Sequence, residues 1–272
     1  MTMKSKVMLL PVVLVTLFAA CSKDDKKDPE PEKEKISKAL AKKVVTTNED
    51  NLSSDFTYKT DSTFATVTYT DDFGIRPFSF AYTTGKRLDK VAGTNPASEQ
   101  KYAYDSKGRI AGFRITLSVT PVEFIYEFTY DENDRVKEMK YAAEENGTKV
   151  PEYTAAYEYD AAGLLTKITV NTESGQKRVY TLGNYSDAFN LNPWVFLSPT
   201  GGGGFEELYN YPVLSALKKL PGKITQTISS VVQQVTTNTF TVHEGRIDKI
   251  AVDIKKPNNP QFNTAYNISF QY

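Results

Sequence analysis

Tyr102-Ala103-Tyr104-Asp105-Ser106-Lys107-Gly108-Arg109-Ile110 is the stretch that decides the fold of this chain. Two aromatics separated by a small residue share one face of a strand, and an Asp follows them. An Asp side chain bonds the backbone two residues on, and so opens a type I turn. Gly108 suits the left-handed bulge position that closes such a turn, where a Cβ is penalised. Ile110 then leads away as a cross-strand partner of the entering aromatics. These residues spell a bulged β-hairpin.

The unit recurs. Phe128-Thr129-Tyr130-Asp131-Glu132-Asn133-Asp134-Arg135-Val136 and Tyr157-Glu158-Tyr159-Asp160-Ala161-Ala162-Gly163-Leu164-Leu165 repeat it. Asp134 stands where Gly is preferred, and Asp visits the left-handed region more readily than most residues. Phe80-Ala81-Tyr82-Thr83-Thr84-Gly85-Lys86-Arg87-Leu88 is a degenerate copy, and Phe240-Thr241-Val242-His243-Glu244-Gly245-Arg246-Ile247 is one residue shorter. Asp105, Asp131 and Asp160 fall 26 and 29 residues apart. Return signals lie at Thr120-Pro121, Asn146-Gly147 and Ser174-Gly175, so each interval holds two strands and one return turn.

Strict alternation continues outward. It covers Phe78, Phe80 and Tyr82; Ile115, Leu117 and Val119; Phe124, Tyr126, Phe128 and Tyr130; Ile250, Val252 and Ile254; and Tyr266, Ile268, Phe270 and Tyr272. Each run reads as a half-buried strand. The fold class is all-β: an up-and-down antiparallel meander of roughly ten strands, curled or closed into a barrel-like sheet, because open sheets that large curl or close.

The hairpin units resemble the YD repeats of RHS-type proteins. The layout over residues 55–272 resembles a family of Bacteroidetes lipoprotein domains of unknown function with a porin-like fold. That resemblance implies a curled β-meander at the cell surface. It supplies no activity and no catalytic residues.

Alternation fails from residue 185 to 222, which reads as an insertion. Pro212 opens a short helix with Val213, Leu214, Leu217 and Leu220 on one face and Lys218 and Lys219 opposite, stopped by Pro221-Gly222. Two readings stay open: a helix that covers one mouth or face of the sheet, and a lid over a ligand cavity. Gly201–Gly204 is no phosphate loop, since no Gly-Lys-Ser/Thr follows and no parallel βαβ unit surrounds it.

The N-terminal residues set location. Lys4 and Lys6 precede an apolar run from Val7 to Phe18, too short to span a bilayer and the size of a signal-peptide core. Leu17-Phe18-Ala19-Ala20-Cys21 resembles the lipobox of bacterial lipoproteins, which implies cleavage after residue 20 and lipid on Cys21. Cys21 is the only cysteine, so no internal disulfide forms. The stretch 22–35, SKDDKKDPEPEKEK, cannot bury a core and reads as a disordered spacer. Its start, Cys21-Ser22-Lys23-Asp24-Asp25, resembles the acidic export signal of Bacteroidetes surface lipoproteins. Residues 36–45 read as either a short helix or a first strand. The expected organisation is a signal peptide (1–20), a charged tether (21–45) and one β-domain (46–272).

Composition excludes several functions. Without Lys4 and Lys6 the cleaved chain has 31 basic against 33 acidic residues. That balance, with no basic stripe, offers nothing to nucleic acid. His243, the only histidine, sits at a predicted turn tip, poorly placed for a catalytic triad. Asp71-Asp72 and Asp131–Asp134 lack calcium-loop spacing. No residue pattern selects a carboxylate pair for hydrolysis. Trp194, Tyr209 and Tyr211 are the candidate ligand-binding aromatics, able to face sugars or other apolar surfaces if exposed. The expectation is therefore a lipid-anchored outer-membrane protein facing the cell exterior, without cofactor or catalytic residues. It binds an unknown extracellular or envelope ligand: a glycan, a lipid or a host macromolecule. The alternatives are a structural or assembly component of the envelope, an integral outer-membrane barrel and a carboxylate-pair hydrolase.

Overall fold

The chain builds strands Lys43–Thr47 (β1), Leu52–Tyr58 (β2), Phe64–Asp71 (β3) and Gly74–Tyr82 (β4). Leu88–Thr94 (β5), Ala97–Tyr104 (β6), Ile110–Leu117 (β7) and Glu123–Tyr130 (β8) follow. Next come Val136–Glu145 (β9), Thr148–Tyr159 (β10), Leu165–Thr172 (β11) and Lys177–Gly183 (β12). Lys223–Ile228 (β13), Val231–His243 (β14), Arg246–Lys255 (β15) and Thr264–Gln271 (β16) complete the sheet. Each strand pairs antiparallel with its chain neighbours, and β1 pairs with β16 to close a barrel. The computed structural model describes residues 40–47, 52–72, 74–188, 193–197, 207–217 and 219–272. The expected signal peptide, Cys21, the spacer and Gly201–Gly204 lie outside the described residues.

The expected class holds and the count is corrected: sixteen strands among the described residues, not ten. The extra strands are polar ones whose alternation the sequence hides, such as LSSDFTY in β2 and KITQTI in β13. The domain also starts earlier than residue 46. Lys43, Val44 and Val45, expected in the tether, pair with Gln271, Phe270 and Ser269.

The hairpin units fold as their residues dictate. Asp105 accepts from the Lys107 and Arg109 amides at 2.9 Å each, and from Arg109 Nε at 2.7 Å. Asp131 repeats this with Asn133 and Arg135. Gly108 and Gly163 take φ +82°, Asp134 takes φ +59°, and a bulge follows the entering strand each time. At Gly108 a Cβ would also meet the Arg87 guanidinium at 2.4 Å. In the degenerate copy it is Lys86, not Gly85, that takes the left-handed position, at φ +61°.

The second tyrosine of each unit does more than pair across its hairpin. Its hydroxyl donates to a backbone carbonyl of the preceding hairpin: Tyr104 to Leu88 at 2.6 Å, Tyr130 to Ile110 at 2.7 Å and Tyr159 to Val136 at 2.9 Å. Tyr272 reaches Ile247 at 2.7 Å. An arginine covers each of these rings, with Arg109 4.3 Å from Tyr130 and Arg135 4.5 Å from Tyr159. The repeats are thereby stapled to one another at this end of the barrel. Burial pushes the Tyr104 and Tyr130 hydroxyls up to about 12, so they stay protonated donors.

These Asp turns give the barrel an acid sensitivity. The Thr63 hydroxyl, the Thr63 amide and Lys86 hold the Asp61 carboxyl down at about 2. For Asp105 and Asp131 burial pushes upward, but hydrogen bonds from Arg109 and Arg135 outweigh it and leave both below the usual range. A carboxyl lower in the folded than the unfolded state stabilises above its unfolded value, about 4, and stops doing so as pH falls. The unfolding temperature should therefore be flat above about pH 5 and fall from about pH 4 toward pH 2. A scan showing no loss between pH 4 and 2 would contradict this.

Side chains alternate apolar-in and polar-out. Glu99 bridges Lys90 and Lys101 outside, at 3.0 and 2.7 Å, and Lys149–Glu127 and Lys167–Glu158 pair at 2.8 and 2.7 Å. Facing such lysines to lipid costs about 2–4 kcal/mol each near the midplane of a bilayer. These charged pairs give the outer wall a surface that favours water over lipid where they stand.

Candidate ligand cavity

Sixteen strands enclose more space than wall side chains can fill, and barrels of this size commonly keep a channel. Here two devices occupy the lumen. The first is a stair of rings on β6–β10. Tyr102, Phe113, Tyr126, Tyr141 and Tyr153 stand at successive centroid distances of 5.5, 4.4, 4.9 and 4.9 Å.

The second device is the insertion between β12 and β13, which leaves and re-enters at the Asp-turn end. Its base is closed by the Gly222 amide on Asn184 O at 3.0 Å and the Ser186 amide on Leu220 O at 3.0 Å. Pro193–Val195 forms a single 3-10 turn and Tyr211–Ala216 a short helix, α1. Asn210 caps α1 by accepting from the Val213 amide at 3.0 Å. The expected helix through Leu220 is shorter than its apolar pattern: Leu217 is already extended. The chain must straighten there to reach β13, and Leu220 pairs with Ser186 instead of a helical partner. Val213, Leu214, Leu217 and Leu220 are still all buried.

The insertion docks through polar contacts as well as apolar ones. Glu207, 2% exposed, pairs with Arg178 at 3.1 Å, and its carbonyl accepts from Tyr157 at 2.6 Å. The Tyr69 hydroxyl donates to Leu197 O. Trp194 is buried edge-on against Phe80, at 4.7 Å between centroids, and lies 5.6 Å from Tyr211. It is therefore an anchor of the plug, with its indole buried at 3% exposure.

Between the plug and the aliphatic strands β13–β16 and β1–β4 lies a cavity of about 490 Å³. Ile224, Phe240, Ile250, Val252, Ile254 and Ile268 line it from the wall, and Leu208, Tyr209, Leu214 and Leu220 from the insertion. It extends to the return-turn end, at Leu52, Thr70, Asp71 and Arg76. That end also carries an apolar rim. Among the described residues, seven of the eight exposed large apolar side chains sit there: Leu52, Ile75, Val119, Val150, Val231, Val232 and Phe262. The β1 start and the β16 end lie at the opposite, plugged end.

Of the three expected aromatics, Tyr209 lines this cavity. Tyr211 lines a separate opening of about 510 Å³ at the Asp-turn end, among Arg87, Arg109 and Tyr130. The insertion thus brings Trp194 and Tyr211 into contact and leaves Tyr209 to the cavity. His243 is exposed in its turn. Asp131 and Asp134 are engaged with Arg135, Arg109 and Lys107. No cluster of His, Cys, Asp and Glu suited to a metal occurs among the described residues.

Sequence reading missed Arg76 and Arg178. Both sit at core parity, Arg76 in step with Phe78 and Phe80 and Arg178 with Tyr180 and Leu182. A charge at a core position of an alternating strand is a legible signal of an interior pair. Arg76 bonds the carboxylate of Asp71, whose side chain is 7% exposed.

No protein-family model and no curated protein matches this chain. Solved structures share its fold. One is a porin-like protein from Bacteroides uniformis ATCC 8492, with a TM-score of 0.55 at 10% identity over 85% of this chain and 97% of that one. Another is a porin-like protein from Bacteroides vulgatus ATCC 8482, with a TM-score of 0.56 at 13% identity over 85% of this chain and 98% of that one. At such identities the likeness shows the barrel and nothing about activity.

Proposed function

We propose that this chain is a lipoprotein of the bacterial envelope, held through Cys21, whose barrel is a non-enzymatic container for a small apolar ligand. The observation that carries this is the cavity of about 490 Å³, apolar along most of its wall, between the plug and the barrel strands. Its size lies within the range of small-molecule sites. Of a glycan, a lipid and a macromolecule, it fits the lipid. A sugar needs several converging polar groups, and a macromolecule does not enter.

The layout supports the tethered reading. The chain enters β1 at the plugged end, opposite the cavity mouth. The charged outer wall suits a barrel standing in water beside the membrane. The acidic start of the spacer supports display on the outer face.

The test uses the full chain carrying Cys21→Ala, so that no attached lipid competes. An environment-sensitive apolar dye should brighten on binding and be displaced by alkyl-chain compounds. Ile268→Trp, which fills the cavity from β16, should weaken the dye at least ~10-fold, the equivalent of about 1.4 kcal/mol. Equal binding by both proteins would remove the cavity as the site.

A further inference from the structure

We infer that the ligand is a lipid acyl group, its carbonyl oxygen held by Arg76 at the mouth and its hydrocarbon tail inside; this rests on the cavity being the binding site, as proposed above. Among the described residues that line the cavity, Asp71 and Arg76 are the only charged ones. They face each other from β3 and β4 near the return turn, so charge sits at the mouth. Deeper inside, the lining passes to Leu208, Leu214, Leu220, Ile224 and Ile250. A site graded from charged to aliphatic matches a molecule with one polar end.

The polar end must accept hydrogen bonds. Arg76 engages Asp71 through Nη2, while its Nε is buried without a partner. A guanidinium donates only, so an oxygen brought by the ligand completes it. A buried donor left unmade is costly, which gives that oxygen its value. Asp71 already balances the charge, so a carboxylic acid and an ester, which share the carbonyl oxygen, both meet the requirement. Two polar groups away from the mouth are already engaged: Thr236 Oγ1 accepts from Gln234 at 3.2 Å and Asn238 donates to Pro221 O at 2.9 Å.

Three probes with the same chain test this on the full Cys21→Ala protein: lauric acid, methyl laurate and lauryl trimethylammonium. The third has no acceptor. At least one acyl probe should bind ~10-fold or more tighter than the ammonium, the scale of one charge-assisted hydrogen bond. Tighter acid binding identifies a free fatty acid as the source, and tighter ester binding an esterified lipid. Arg76→Lys keeps a cation beside Asp71 and removes Nε, and should lose most of that preference. The double variant Asp71→Asn/Arg76→Met leaves no lone buried charge and should abolish it while chain binding persists. If the wild type binds all three alike, or prefers the ammonium, the acyl-oxygen inference is wrong and the cavity reading stands. If no probe binds and Ile268→Trp changes nothing, the cavity reading fails and takes this inference with it.

Discussion

Replacing Trp194 with alanine is expected to destabilise the barrel by about 3–5 kcal/mol, the range for deleting a buried large aromatic. The indole is 3% exposed, meets Phe80 of β4 edge-on and lies against Tyr211 of α1. It ties the plug to the wall, so its loss leaves a void that neither rigid sheet nor short helix can collapse into. Domains of this kind are stable by about 5–15 kcal/mol, so the variant spends a large share of the margin. Urea unfolding followed by far-ultraviolet circular dichroism measures it. Trp194→Phe should recover part of the loss. A cost under about 1 kcal/mol for the alanine variant would show that the plug does not depend on this ring.

The second large effect is expected at Glu207. Its carboxylate is almost fully buried and pairs with Arg178, which also lies over the Tyr153 ring. Removing one partner of a buried pair strands the other charge, at about 3–5 kcal/mol when both are fully enclosed. Arg178 keeps 25% of its side chain exposed, so water relieves part of that penalty. Glu207→Ala should therefore cost about 2–4 kcal/mol. Replacing both partners removes the stranded charge, so Glu207→Leu/Arg178→Met should be more stable than Glu207→Ala. The carbonyl of residue 207 would still hold Tyr157 in every variant, since that bond uses the backbone. A double variant as unstable as the single one would place the cost in packing.

The proposed acyl-binding site is partly legible in the sequence. Arg76 falls between Ile75 and Pro77, in step with Phe78 and Phe80, and this parity alone points it inward. Its partner is the first of the Asp71-Asp72 pair, whose spacing suits no calcium loop and marks no other role. What could not be read was that β3 and β4 set Asp71 five residues from Arg76 in sequence yet beside it across the hairpin. Trp194 misleads for the opposite reason. A lone tryptophan in a polar, Gly-rich insertion looks exposed until the insertion is known to turn into the lumen.

The sequence by itself determined the local units: antiparallel hairpins, the turn at each Asp, the bulge at Gly108 and Gly163, and the one long interruption. These follow from backbone chemistry acting over a few residues, where an Asp side chain and a left-handed glycine outweigh other terms. The tertiary structure alone decided closure, strand number and what fills the barrel. Closure rests on five residues of β1 meeting the last strand more than two hundred positions away, and KVVTT carries no mark of that partner. Sixteen strands then enclose a lumen too wide for wall side chains, so the insertion must enter it. How completely it fills that space depends on the summed volume of distant side chains, and the unfilled remainder is the cavity.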